Sequence, residues 1–434
     1  MERVLRRHAG GGEAKVRYNT IVLNTKKIKL DFPIFQTYPK LIYLDNAATS
    51  QKPQMVIDAI SDYYQKYNAN VHRGVHFLAD KSTAIEEKSK TNIAQFLGAK
   101  SEELIFTRNC TEAINGVAYG WGENNIEAGD IILTTIMEHH ANIVPWQELC
   151  KRKKAKLEFI QITENGELDI DNLKLSLKEG SPSGRKIKLV ALTHVSNVLG
   201  IVNDVEKISK LIKKHNKNIR ILVDGAQAVA HLPINFSKLG VDFYTFSGHK
   251  MLGPMGVGGL LVKKDLLNSG EFRPYLFGGG MISSVTTTST EFNSDLNDRF
   301  MAGTPDVASI YGLSQAVDYL KKLRLENIKN HSQDLANYAV EKLKENRKIK
   351  ILGGQKANRL GLVSFVHEKI HAHDLAQVLD SEQIAVRSGH HCCMPLHQAL
   401  GINASVRVSF AVYNDESDVD KLMVALEKAE KLLL

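Results

Sequence analysis

Apolar, β-branched runs alternate with amphipathic stretches of helical spacing along most of the chain, which is the pattern of a parallel sheet wrapped by helices. The candidate strands are Glu103–Thr107, Asp130–Thr135, Lys188–Thr193, Arg220–Asp224, Asp242–Phe246 and Val257–Val262. Downstream, Val307–Asn327 and Gln333–Asn346 read as helices, Leu360–Val366 and Val406–Phe410 as strands, and Glu416–Leu434 as a closing helix. This order predicts an α/β fold with a large domain over 26–298, whose first residues can pack on a smaller α+β domain over 299–434. The boundary is expected near Asn297–Thr304. Residues 1–25 fit neither domain. They lack the apolar core of a secretory signal and are expected to be a disordered extension.

A length of 434 residues suits two cores better than one. At 43% hydrophobic and 24% charged, with no long apolar run, the chain has a globular balance and no membrane partner is expected. The formal charge of +8 is not gathered into a basic stripe interleaved with aromatics, so a nucleic-acid partner is not expected either. Four cysteines (110, 150, 392 and 393) are too few for a disulfide framework. They point to a reducing compartment, the cytoplasm in the first place, with plastid or mitochondrion open.

The chemistry-bearing residues cluster just past the carboxyl ends of the apolar runs, where open α/β sheets bind ligands. Lys250 closes Ser247-Gly-His-Lys250 after one such run and precedes a glycine cluster, so it sits on a tight turn rather than a solvated helix. A desolvated amine there can form a Schiff base. Asp224 ends another run, where a carboxylate can hold a proton on a pyridine nitrogen; alone, Asp224-Gly225 reads equally as a turn. Asn109-Cys110-Thr111 opens a helix whose free N–H groups can bind phosphate, and alone reads as an ordinary cap. His139, in Glu138-His-His-Ala-Asn142, can stack on an aromatic ligand, whereas a structural role suits His140 better. Arg387-Ser-Gly-His-His-Cys392-Cys-Met-Pro395 reads as a thiol on a flexible arm. There Arg387, His390 and His391 would favour the thiolate below its resting pKa of about 8.5. The His and Cys spacing fits no standard zinc site, and no metal is expected.

Taken together these residues resemble the cysteine desulfurases of the class V aminotransferase group, in their Suf-type form. The matching stretches are Tyr43-Leu-Asp-Asn-Ala-Ala48, Asn70-Val-His-Arg-Gly-Val-His76, Met137–Trp146, Thr193–Gly200, Val223–Gln227, Ser247–Lys250, Ala302-Gly-Thr-Pro305 and Arg387–Cys392. The resemblance implies a fold-type I pyridoxal-phosphate enzyme with a mainly parallel seven-stranded sheet, working as a homodimer. It makes Lys250 the Schiff-base lysine, Asp224 the partner of the pyridine nitrogen, Gln227 a contact to the ring's phenolic oxygen and His139 the stacking ring. Thr111, Ser247 and His249 would bind the phosphate, beside Cys110, with Thr304 reaching in from the partner subunit. Asn197 and Arg407, near Arg387, would hold the carboxylate of L-cysteine, with His72 and Arg73 on the dimer-facing substrate side.

Cys392 would take the sulfur as a persulfide, leave alanine, and pass the sulfur to a SufE- or SufU-like acceptor for iron–sulfur cluster assembly. Selenocysteine lyase activity is implied on the same scaffold. Cys393 stands where the family usually has alanine; it is expected not to be the primary nucleophile and could trap the persulfide or carry a second sulfur. Another class V aminotransferase or β-lyase, or a catalytically silent assembly scaffold, are the competing readings.

Overall fold

The computed structural model describes residues 23–72, 74–179, 186–354 and 358–434. Arg73 and nearly all of the expected N-terminal extension lie outside the described residues. Seven strands form the central sheet: β1 (Leu104–Thr107), β2 (Ile131–Thr135), β3 (Lys156–Ile160), β4 (Ile187–Thr193), β5 (Arg220–Asp224), β6 (Phe243–Ser247) and β7 (Gly258–Val262). Their spatial order is β1-β7-β6-β5-β4-β2-β3. The block from β6 to β3 is parallel throughout, and β7 runs antiparallel to both of its neighbours. Every residue of β2, β6 and β7 is buried. That follows from sheet faces covered on both sides by helices, and it explains why these strands read as unbroken apolar runs. β3 escaped the sequence reading because exposed Lys156 and Glu158 alternate with half-buried Leu157 and Phe159. It is an edge strand with one wet face.

The helices that frame the site are α1 (Gln54–Lys66), α2 (Phe77–Phe96), α3 (Cys110–Val117), α4 (Val307–Leu323), α5 (Leu325–Glu345), α6 (Ala372–Ser381) and α7 (Glu416–Leu433). α4 packs on α1 and α2, and its Leu313, Ala316 and Val317 share a buried cluster with the large sheet. The small unit's own layers follow after it. Arg324, at φ +66°, splits the expected helical stretch 307–327 into two, and α5 absorbs the separate helix expected from Gln333. A second, antiparallel sheet comprises β8 (Ile349–Ile351), β9 (Leu362–His367), β10 (Arg387–Gly389) and β11 (Ser405–Ser409), in the order β8-β9-β11-β10. Its core joins Val363, Phe365, Val406 and Val408 to Leu375 of α6 and Leu422 of α7.

Two seams bind the units where the site lies. Ile42–Tyr43 pairs in parallel with Ile384–Ala385, and Asp45 bridges to Ser409, so the chain touches the small unit before it enters the large one. The loop after β4 is stitched to the small sheet by Leu360 N to Gly200 O (2.9 Å), Val202 N to Asn358 O (3.0 Å) and Ser364 Oγ to Val198 O (2.6 Å). Gly225, just past β5, has no room for a side chain: an added Cβ would lie 2.2 Å from Tyr244 Cε1. Tyr244 cannot yield, because it is wholly buried and its hydroxyl pairs with His194 Nδ1 at 2.9 Å. Gly225→Ala is therefore expected to destabilise the protein by about 1–3 kcal/mol, seen as a lower midpoint in urea unfolding.

Candidate active site

The carboxyl ends of β4, β5 and β6 lie side by side in the sheet. β5 ends at Asp224, a buried carboxylate whose Oδ1 accepts from Ala226 N (2.9 Å) and from the Cys110 thiol (3.2 Å). Both bonds fall on one oxygen, and Oδ2 carries none among the described residues. Beside it, Asn109 caps α3 by accepting from Glu112 N at 3.0 Å, and Cys110 N donates to Ser247 Oγ at 2.9 Å. The Cys110 side chain turns to the sheet, with Sγ 3.0 Å from Thr245 Oγ1. Burial first, then the Asp224 charge, push this thiol well up. Thr111 lies exposed on the first turn of α3.

Lys250 ends a short 3₁₀ turn that follows β6. The turn is gripped at the His249 carbonyl, which accepts from Ser50 N, Ser50 Oγ and Thr49 Oγ1 (3.1 Å each) and from Lys52 Nζ (3.0 Å). Burial lowers the Lys250 amine from its usual range, against the opposing pull of Asp224, Cys110 and Cys392. His249 Nδ1 is buried with no partner, and Ser247 Oγ receives a bond without giving one. These groups, with the start of α3, are the donors a phosphate needs. The amine, the carboxylate with a free oxygen and the phosphate donors together fit pyridoxal phosphate.

His139 follows β2. Its Nδ1 accepts from Ala141 N at 3.1 Å, and burial, then Lys250, bring it down to about 4, so the ring is neutral near pH 7. The turn beneath it is set by Glu138, whose carboxyl receives Thr135 Oγ1 (2.6 Å), Asn142 Nδ2 (2.7 Å) and Thr193 N (2.9 Å). Burial pushes Glu138 up to about 8 against those three donors. Gln227 Nε2 is committed to Ala47 O at 2.7 Å.

Arg407 is buried. It donates to Asn197 O (3.0 Å) and Asp45 Oδ1 (3.2 Å), and its Nε has no partner. Arg387 grips the same Asp45 through Nε (3.1 Å to each oxygen) and Nη2 (2.9 Å). Asp45 thus balances both arginines expected near a substrate carboxylate, a role the sequence reading did not assign. Its only local signal was the Leu-Asp-Asn-Ala motif; the arginines lie more than 340 positions away.

Cys392 is exposed, in a turn where His391 and Cys392 have φ of +51° and +57°. The expected flexible arm is instead a pinned turn. Asn197 Nδ2 donates to His391 O (2.8 Å), His140 N to Cys392 O (2.7 Å) and Met394 N to His140 Nε2 (3.1 Å). The cationic surroundings expected from His391 and Arg387 also change. His391 is buried on Ser405 Oγ (2.9 Å) and pushed by burial down to about 2, hence neutral, while Arg387 is engaged by Asp45. Cys393 points the other way. It is fully buried, its thiol is shared between Glu138 O and Asn197 Oδ1 (3.1 Å each), and burial raises its pKa.

Two expected residues are not gathered here within one chain. Thr304 is exposed and donates to Asn70 Oδ1 at 3.2 Å, and His72 lies 3.8 Å from Glu86. Among the described residues no group of three or more His, Cys, Asp or Glu is placed to hold a metal ion.

Comparison with known proteins meets this geometry. A profile of the aminotransferase class-V family matches residues 42–422. The "Cysteine desulfurase" of Haloferax volcanii is 42% identical over 423 residues, covering 93% of this chain and 96% of that protein. The apo structure of a cysteine desulfurase from Thermococcus onnurineus superposes with a TM-score of 0.88 at 38% identity, over 95% of this chain and 99% of that one. The cysteine desulfurase CsdA of Escherichia coli, solved as an S-sulfonic acid, gives 0.85 at 33% identity, over 95% of this chain and 100% of that one.

Proposed function

Because the chain belongs to the aminotransferase class-V family, we infer that it is a pyridoxal-phosphate-dependent cysteine desulfurase that moves the sulfur of L-cysteine onto Cys392 and releases L-alanine. One observation carries this reading: the turn bearing the exposed thiol of Cys392 is bonded to His140 and Asn197, on the loops after β2 and β4, next to the strand ends of β5 and β6 that present Asp224 and the half-buried Lys250. When bound, the cofactor supplies an electron sink conjugated to the substrate's amine, which acidifies the Cα proton.

The chain's residues do the rest. Lys250 would hold the cofactor, and its amine, lowered by burial, would be the group placed to take the Cα proton. Asp224 Oδ2, left free by Cys110 and Ala226, holds the proton on the ring nitrogen. Gln227, whose amide nitrogen keeps a second N–H beyond the one given to Ala47 O, would meet the phenolic oxygen, and neutral His139 would cover the ring. Thr111, Ser247, His249 and the start of α3, next to Cys110, bind the phosphate. Arg407 and Asn197 receive the substrate carboxylate, with Arg387 at the rim. Cys392 Sγ attacks the cysteine sulfur: an S–S bond forms, the Cβ–S bond breaks, and Cβ is protonated, so cysteine plus thiol becomes alanine plus persulfide.

The Suf-type assignment, supply of sulfur for iron–sulfur clusters through a SufE- or SufU-like acceptor, and selenocysteine lyase activity belong to the same proposal. A homodimer is part of it. Support comes from the exposure of Thr304 and His72 away from the Lys250 cluster, and from exposed Phe277 and Phe292 on a groove of about 650 Å³ with Tyr275. No described helix is long and apolar enough to cross a membrane.

The test is product balance. With pyridoxal phosphate, L-cysteine and a thiol reductant, the protein is expected to yield alanine and sulfide in equal amounts. Pyruvate and ammonia in place of alanine would make it a β-lyase and overturn the assignment.

A further inference from the structure

Two consecutive non-glycine residues in the left-handed region cost about 1–2 kcal/mol each, so something must hold His391 and Cys392 there. The turn's own bond, Cys393 N to His390 O at 2.8 Å, closes it but does not fix it to the large unit. Asn197 holds its entering side through the His391 carbonyl. On its leaving side the Cys393 thiol is tied to Glu138 O and Asn197 Oδ1 (3.1 Å each) and Cys393 O to His397 Nδ1 (3.0 Å), while the backbone of Cys392 and Met394 is held by His140. His140 donates its backbone N–H to the Cys392 carbonyl at 2.7 Å and accepts the Met394 N–H on ring Nε2 at 3.1 Å. We propose that His140 is the positioning residue of the nucleophile, gripping the chain on both sides of Cys393 so that Sγ of the preceding Cys392 is held in place.

The placement makes the grip rigid. His140 starts the 3₁₀ turn His140–Asn142, and Glu138 ties that turn to β2 and β4 through Thr135, Asn142 and Thr193. His139, the neighbour in the chain, faces the Lys250 side, with its ring centroid 6.3 Å from that of His140. One anchored turn therefore sets both the ring over the cofactor and the position of the thiol. Because Nε2 must accept, His140 works as the neutral imidazole with its proton on Nδ1. Glutamine can offer an oxygen acceptor at a similar reach; phenylalanine keeps the bulk and offers none.

The kinetic part of this inference rests on Cys392 being the sulfur nucleophile; the structural part does not. The experiment compares the full-length, cofactor-loaded wild type with His140→Phe and His140→Gln. Deuterium exchange at the Met394 amide is measured by NMR or by fragmentation mass spectrometry, and kcat and KM are measured for L-cysteine. In His140→Phe the Met394 amide is expected to exchange at least about tenfold faster. Its kcat should fall about tenfold to a hundredfold, as for a misplaced reacting group, with KM within about twofold. His140→Gln should recover both. His140→Leu replaces the phenylalanine variant if that one does not fold. Unchanged Met394 exchange in the variant without an acceptor, or a glutamine variant no better than phenylalanine, overturns the proposal. If the wild type makes no alanine, the desulfurase reading falls and the exchange comparison still decides the grip.

Discussion

Lys250→Ala is expected to reduce kcat/KM for L-cysteine by at least about 10³-fold, a loss of about 4 kcal/mol of transition-state stabilisation. It should also remove the absorbance of the lysine-linked cofactor, with little change in fold. Lys250 is half-buried, its amine lowered by desolvation against the pull of Asp224, and it is held on a turn that four donors clamp at His249 O. No other described lysine shares that position. Lys52, the nearest in function with an amine lowered by burial to about 8, is spent on the His249 and Ser50 carbonyls. The sign of the pH effect follows from the direction of the shift. An amine acts as nucleophile or base only when neutral, and a pKa below the ordinary 10.5 makes the neutral form available at lower pH. The rate of cofactor linkage should therefore rise with pH and level off below the ordinary lysine range. Lys250→Arg, always charged, should be as inactive as the alanine variant.

Cys392→Ala should lose sulfur transfer from L-cysteine by at least about a hundredfold while still binding cofactor and substrate. Cys393→Ala should keep activity within about tenfold and instead lose about 1–2 kcal/mol of stability. The contrast comes from orientation. Cys392 is exposed, whereas Cys393 is fully buried with its thiol given to Glu138 O and Asn197 Oδ1. A persulfide on Cys392 could reach the Cys393 sulfur only if the pinned turn were released. Loss of desulfurase activity in the Cys393 variant alone would reverse the assignment.

Much of this was legible in the chain, and the illegible parts share a cause. Strands buried on both faces, such as β2, β6 and β7, leave continuous apolar runs, and the carboxyl ends of β5 and β6 pointed straight to Asp224, Ser247 and Lys250. The edge strand β3 and the exposed hairpin Ile282–Val285 with Thr290–Phe292 bury too little to leave a run. The break between α4 and α5 falls at Arg324, with neither glycine nor proline to mark it. In the site, residue types were readable but partners were not. The Cys110 thiol turns to Asp224 across 114 positions, and the Met394 amide finds His140 across 254. The first depends on how α3 packs on the sheet and the second on how the two units dock, and no local periodicity encodes either. For the same reason an apparent flexible arm turned out to be a clamped turn.

The central claim is that sulfur leaves L-cysteine and lands on Cys392. It is tested most directly by incubating the cofactor-loaded protein with L-cysteine in the absence of reductant, then mapping its peptides by mass spectrometry. The account predicts the added mass of one sulfur atom on Cys392, removed by a thiol and absent from Cys110, Cys150 and Cys393. An unmodified Cys392 alongside alanine production, or the added sulfur on Cys393, would contradict it.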